Sequence, residues 1–250
     1  MGYYRDFILG KVDELISLSR YLTVDGYFMR RHFIPPLVKK GLHVITKMRP
    51  DAHLQYLFSG KQKDKGRTRK YSGKVQWNKL DLRKWKKVHS SKNEDRYWAI
   101  LYCKALKMNV AVIYRLYKER GKTSYEILLC TDTELDPHKI VHYYIMRFQI
   151  EFLIRDAKQS SGLEDCQARE GRKLAFHFNL SMTNINLAKA EYFMTIPKDQ
   201  RGSFSLQDIK RQHYNKLLTG YIFDALGLDL KCKKTRVLYD RCTQFGRMAA

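Results

Sequence analysis

DPHKIVHYYIMRFQIEFLIRDAKQ, residues 136–159, is the stretch that decides how this chain is read. Asp136-Pro137 marks a helix start: a side-chain oxygen that can cap free amides precedes a proline whose fixed φ suits the first helical position. The pattern predicts one helix from there to Gln159. At about 100° per residue, Met146, Ile150, Leu153 and Ala157 fall on one apolar stripe. Tyr144, Arg147, Glu151 and Lys158, at offsets of 0, 3, 7 and 14 residues, lie within roughly 60° of one another on the opposite side. A lone carboxylate between cations on a rigid helix suits a metal ion and a phosphate chain bound together. Arg147, Glu151 and Arg155 also have the i, i+4, i+8 spacing of a solvated ion-pair ladder.

Composition says what such a face would meet. The 250 residues fit one large domain or two small ones, ample to bury a core. Lys and Arg number 48 against 25 Asp and Glu, a formal charge of +23, which points to a polyanionic partner. Aromatics at 13% exclude a disordered basic tail as the whole chain. No apolar run approaches the roughly 20 residues of a membrane span, and the first residues lack the apolar core and cleavage site of a secretory leader. The five cysteines (103, 130, 166, 232 and 242) form no CxxC pair, so neither a zinc site nor a disulfide framework is indicated. These features describe a reduced, soluble, nucleic-acid-facing protein without internal repeats.

Upstream, residues 3–19 carry Phe7, Ile8, Val12, Leu15 and Ile16 at helical spacing, with a weak point at Gly10. YLTVDGYF then reads as a short strand ending on Asp25-Gly26. An Asp at the carboxyl end of a strand is where α/β proteins put catalytic carboxylates, although Asp-Gly is also a plain turn. HFIPPLVKKG predicts a short helix closed by Gly41, and LHVITKMR another buried strand. Between Lys61 and Lys87 stand twelve Lys or Arg against two Asp, interleaved with Tyr71, Trp77 and Trp85. That composition suits tracking of a phosphate backbone, and equally a solvated loop. Three apolar, β-branched runs follow (YWAILYCKAL, MNVAVIYRLYKE, SYEILLCT), with hairpin turns expected at Asn109 and Gly121-Lys122. Downstream, LAFHFNLSMTNINLAKAEYFM predicts a long helix with Phe176, Leu180, Ile185 and Leu187 among its apolar positions. His177 on it reads as a packed or surface histidine. Residues 205–230 read as one or two helices interrupted at Gly220, and 231–250 as a loose basic tail.

Tyr-x2-Arg-x3-Glu-x6-Lys is the signature of the IS4-type DDE transposases, and Tyr144, Arg147, Glu151 and Lys158 match it without a gap. MRFQIEFLIRDAKQ also resembles that family's RW-x-IE-x2-F-x2-LK segment, with Phe148 where Trp is common. The passage from YLTVDGYF to GLHVITKMRP is similar to the family's middle-Asp region, here with Tyr27 two residues after the Asp. The resemblance implies an α/β fold: a partial RNase H-like catalytic core with a β-rich insertion and a helical C-terminal part. On it, residues 1–50 form the first part of the core, 51–124 the basic insertion, 125–196 the second part with the signature helix, and 197–250 a helical basic extension.

The same resemblance implies Asp25 and Glu151 as catalytic ligands for Mg²⁺ or Mn²⁺, the second and third of three carboxylates. Tyr144, Arg147 and Lys158 would contact backbone phosphates of double-stranded DNA, at transposon ends and target. Asp132 in CTDTEL is the rival for Asp25, and its sequence also fits a helix cap. Trp77, Trp85 and Trp98 are candidates to stack on a flipped base. The resemblance further implies a cytoplasmic, nucleoid-associated bacterial protein, pairing as a homodimer on two DNA ends. The family's first Asp lies on a strand upstream of the helix at 3–19, and nothing here precedes that helix. The expectation is therefore a chain without the first three sheet strands, and either a transposase or an inactive remnant that only binds DNA. An RNA-binding reading lacks an RNP-type aromatic motif or a GxxG loop.

Overall fold

The structure, a computed structural model, describes residues 1–119 and 122–248. The chain divides into two compact units, Met1–Phe148 and Gln149–Ala250. The first opens with helices α1 (Gly2–Gly10) and α2 (Val12–Leu18). The break between them follows Gly10, where the backbone of Lys11 leaves the helical region. Strand β1 (Tyr21–Val24), helix α3 (Ile34–Lys39) and strand β2 (His43–Lys47) follow. α3 ends on Gly41, whose φ of 88° belongs to the left-handed region that glycine enters without strain. Strands β3 (Leu54–Leu57), β4 (Tyr71–Lys74), β5 (Lys86–Ser90), β6 (Glu94–Cys103), β7 (Met108–Glu119) and β8 (Lys122–Cys130) complete the sheet.

All eight strands join one mixed sheet in the order β1-β2-β8-β7-β6-β3-β4, with β5 also on β6. Only β1 and β2 run parallel; β8 lies antiparallel on β2, so the β-rich segment continues the sheet that carries Asp25. The β6–β7 turn falls at Lys104–Lys107, with Lys107 at φ 57°, and Asn109 is inside β7. The turn expected at Gly121 lies outside the described residues.

Strand alternation gives the sheet two apolar faces. On one, Val44, Val110, Val112, Ile127 and Leu129 pack with Val12, Phe33, Ile34 and Leu37 of the N-terminal helices. Trp77 and Trp85 belong to this core, with ring centroids 6.0 and 6.3 Å from Tyr114. Trp85 Nε1 donates to the Tyr56 hydroxyl at 3.1 Å. On the other face, Ile45, Ala111, Ile113, Leu128 and Cys130 receive helix α4 (Pro137–Met146) through Ile140, Val141 and Tyr144. The Asp136 carboxylate caps α4 by accepting from the amides of His138 and Lys139. Further along that face stands an ion-pair array. Glu94 accepts from Arg96 at 2.8 Å and from Arg115 at 2.7 Å, and Arg115 also reaches Glu126 at 2.7 Å.

The expected single helix is two. α4 ends at Met146, Arg147 keeps helical φ and ψ but donates its amide to the Tyr144 carbonyl three residues back, and α5 runs Phe148–Ser160. The interruption falls where the two units divide, so no single stripe runs through. Met146 and Ile150 are exposed, Leu153 is half-buried and Ala157 is buried. In the second unit α6 (Gly171–Thr195) and α7 (Leu206–Ala225) join α5 around Ala157, Ile185 and Leu206, and α8 (Lys233–Thr243) packs on α7. Of the apolar positions expected on α6, Ile185 is buried, whereas Phe176, Leu180 and Leu187 are exposed. His177 Nε2 meets the Gly162 carbonyl oxygen at 2.7 Å, fastening the loop after α5. α7 passes Gly220 unbroken, and α8 replaces the expected loose tail. Both features have one cause: the rings of Phe223 and Tyr239 pack edge-on at 5.6 Å, so each helix buries part of the other. Among the described residues no helix is long and apolar enough to cross a membrane.

Two outcomes follow from this packing. Leu128→Ala removes a fully buried side chain under α4 and lowers unfolding free energy by about 2–5 kcal/mol, read from urea titration. Glu94 titrates at about 2, below the ordinary 4.5, because of its Arg96 hydrogen bond against the opposing effect of burial, with Arg115 adding to the lowering. A depressed carboxylate stabilises the fold above its unfolded pKa and loses that contribution as pH falls towards the folded one. Stability therefore declines between about pH 4.5 and 2, and Glu94→Gln flattens that limb of an acid titration followed by near-ultraviolet circular dichroism.

Candidate active site

Asp25 leaves β1 where the backbone of β2 dictates. β1 pairs in parallel with β2, Val24 opposite Thr46, so the next step sets Asp25 beside Lys47. The Asp25 backbone stays extended, and its carboxylate accepts the Gly26 amide at 2.7 Å, capping a short 3₁₀ turn over Gly26–Phe28. A Cβ at position 26 would lie 3.0 Å from the Lys47 carbonyl oxygen, tighter than nine in ten real Cβ contacts, so glycine eases the turn of the chain across the end of β2. Asp25 itself is exposed.

Tyr144 comes to the same end of the sheet from α4. Its residue is 3% exposed, within the α4 core. Burial raises its phenol pKa, the Glu126 and Asp25 carboxylates push it further the same way, and Arg147 opposes them. The hydroxyl therefore lies within electrostatic reach of both carboxylates and of the Arg147 guanidinium. Arg147 stands 5.7 Å from the Tyr144 ring centroid and 4.8 Å from that of Phe148. Periodicity had set Tyr144 opposite the apolar stripe. With α4 ending at Met146, its buried side is instead Ile140, Val141 and Tyr144.

Sequence reasoning passed over Lys47 and Glu126. Lys47 Nζ pairs with Glu126 Oε1 at 3.2 Å, and the Tyr117 hydroxyl donates to Glu126 at 3.2 Å. The available signal was a carboxylate inside an apolar strand, in YEILLC, which must find cations once folded.

Asp132 is at the other end of β1. It accepts the Tyr21 hydroxyl at 2.7 Å and the Glu134 amide at 2.9 Å. Burial would raise its carboxyl, but those bonds outweigh it and hold the pKa below the ordinary value. Tyr21, through burial and then its bond to Asp132, is pushed up to about 12. Tyr21 and Asp25 are separated by the length of β1, roughly 13 Å at about 3.3 Å per residue, so Asp132 and Asp25 belong to different clusters.

In the second unit, Glu151 and Lys158 line an open groove along α5 with Ile150, Ile154, Arg155 and Gln159. Lys158 Nζ pairs with Glu164 at 2.5 Å, and Arg155 with Asp156 at 3.1 Å. The four signature residues are thus shared between the units: Tyr144 and Arg147 in the first, Glu151 and Lys158 in the second. Asp25 and Glu151 offer hard carboxylate oxygens of the type that Mg²⁺ or Mn²⁺ takes. Among the described residues no three His, Cys, Asp or Glu gather into a group that could hold a metal ion. Of the three tryptophans, Trp77 and Trp85 are buried, and Trp98 is half-buried beside the α4 core.

Residues 7–187 match the model of a family described as the transposase DDE domain. No curated protein matches the chain. The matched span takes in both strands that carry Asp25 and Lys47, the whole of the β-rich segment and both halves of the signature. The chain belongs to the transposase DDE-domain family.

Proposed function

We propose that this chain is a transposase of the IS4 type, which cuts DNA at the ends of an insertion sequence and joins the freed 3′-hydroxyl to target DNA. The observation that carries the reading is the exposed Asp25 at the carboxyl end of β1, in a chain whose residues 7–187 match the transposase DDE-domain family. In this reading the first unit is an RNase H-like core extended by the β-rich insertion. Asp25 and Glu151 would hold Mg²⁺ or Mn²⁺, which when bound supplies an activated oxygen nucleophile and stabilises the leaving oxygen. Arg147 and Lys158 position backbone phosphates of double-stranded DNA, Arg147 as a planar fork and Lys158 as a point charge. Tyr144 contributes through its hydroxyl and by carrying Arg147, since its ring is committed to the core. The exposed cations of residues 61–70 give the non-specific, salt-sensitive part of the binding. Two copies on paired DNA ends and a place on the bacterial nucleoid in the cytoplasm belong to the same reading.

A second reading is a protein that binds DNA without cutting it: the formal charge of +23 suits a polyanionic partner in either case. The two are separated by incubating the chain with duplex DNA carrying insertion-sequence ends, with Mg²⁺ or Mn²⁺. Under the first reading nicks appear. Asp25→Asn and Glu151→Gln then each reduce nicking by at least about a hundredfold, the upper range for disturbing even the outer shell of a metal site, while DNA binding persists. Wild-type chain that binds in a salt-dependent way and leaves the duplex intact supports the second reading. Nicking that survives Glu151→Gln removes Glu151 from the site.

A further inference from the structure

Lys47 has no place in the signature, yet the fold brings it to the most consequential position on the first unit. It follows Thr46, the partner of Val24, and so lies beside the point where Asp25 leaves β1, and its carbonyl oxygen would meet a Cβ at Gly26 at 3.0 Å. Alternation from Ile45 puts its side chain on the α4 face, where Nζ reaches Glu126.

We infer that Lys47 is a DNA-phosphate contact at the Asp25 end of β1, and that Glu126 is the residue that positions it. The inference rests on the reading of that end as the strand-cutting site. Three cations and two carboxylates make up the array on this face: Arg96, Arg115 and Lys47 with Glu94 and Glu126. Among these five members the cations exceed the carboxylates by one, and the Asp25 carboxylate stands nearby. Its members are graded in exposure. The Arg115 side chain is 9% exposed and Arg96 19%, whereas Lys47 is 51% exposed. Lys47 is thus the cation of the array that meets solvent, at the end where Asp25 emerges.

Glu126 is suited to aim that charge and unsuited to bind a metal. Arg115 holds one of its oxygens at 2.7 Å, the Tyr117 hydroxyl donates to the same oxygen at 3.2 Å, and Lys47 takes the other. The Arg115 guanidinium stacks 5.0 Å from the Tyr117 ring centroid and is tied to Glu94 behind it. Glu126 is therefore fixed from the sheet side, and Lys47, a flexible chain ending in a compact ammonium, takes its direction from it. Removing the carboxylate would leave Lys47 present and charged but without that direction.

The test is duplex binding by the full chain across a sodium chloride series, alongside metal-dependent nicking and thermal unfolding. Lys47→Met is expected to lower the slope of log affinity against log salt by about 0.9, the share of one phosphate contact, with an unchanged thermal midpoint. Lys47→Arg keeps the slope. Glu126→Gln lowers the slope by the same amount with Lys47 in place, and the double variant loses nothing further, because both changes remove one contact. An unchanged slope in Lys47→Met overturns the contact. An unchanged slope in Glu126→Gln, or additive losses in the double variant, overturns the positioning role. Should Glu126→Gln fail to fold, Glu126→Asp, which withdraws the carboxylate by one methylene, is judged by the same slopes. Wild-type chain that never nicks while these slope changes hold sinks the cutting reading and leaves the phosphate contact standing. Nicking that Lys47→Met leaves intact, with its slope unchanged, sinks the inference alone.

Discussion

Strand β2 is hydrogen-bonded on both sides, in parallel to β1 and antiparallel to β8, and the candidate site depends on that double register. Side chains alternate with a period of two, so a slip of one residue would turn Ile45 and Lys47 to the opposite face. Ile45 is fully buried under α4, and Lys47 is paired with Glu126 on the same side. Apolar burial and an ion pair therefore select the same register. The parallel pairing then fixes where Asp25 emerges, and Gly26 permits the chain to turn there.

The α4 face changes character along its length. Under the helix it is aliphatic, from Ile45 and Ala111 to Leu128 and Cys130. Further on it is ionic, from Glu94 to Lys47. Carboxylates inside a sheet carry a desolvation penalty that only close cations offset, and Arg115, bridging Glu94 and Glu126, offsets it for both at once. The array is better understood as fixing geometry than as a source of stability, since its exposed end at Lys47 is screened by water. Asp132, by contrast, is absorbed into structure through Tyr21 and the start of the loop before α4.

In the second unit α5, α6 and α7 share a small buried core at Ala157, Ile185 and Leu206. α6 runs for 25 residues, but only Ser181 and Ile185 on it are buried. Hydrophobic periodicity marks where a helix could bury a face. Whether the face is buried depends on what packs against it, which is why Phe176, Leu180 and Leu187 are exposed despite their spacing. Gly220 shows the same limit from the other side. A mid-helix glycine disfavours the helix by about 1 kcal/mol, and packing with α8 outweighs it.

Local chemistry determined much of this protein in advance. β1 and β2, the breaks after Gly10 and at Gly41, the Asp136 cap and the three long strands are all legible, because each depends on neighbours in the chain. The family is legible in the run from Tyr144 to Lys158, whose matched residues lie within a few helical turns. Tertiary structure alone decided the rest. It joined the β-rich segment to the strand pair carrying Asp25, buried Tyr144, and divided the signature helix at Arg147 between two units. It also brought Glu126 to Lys47 across a separation of 79 positions in the chain. Strand pairing between distant segments and the burial of a face leave no mark on local spacing, since the backbone bonds that make them are alike for every residue and only the completed sheet selects which ones form.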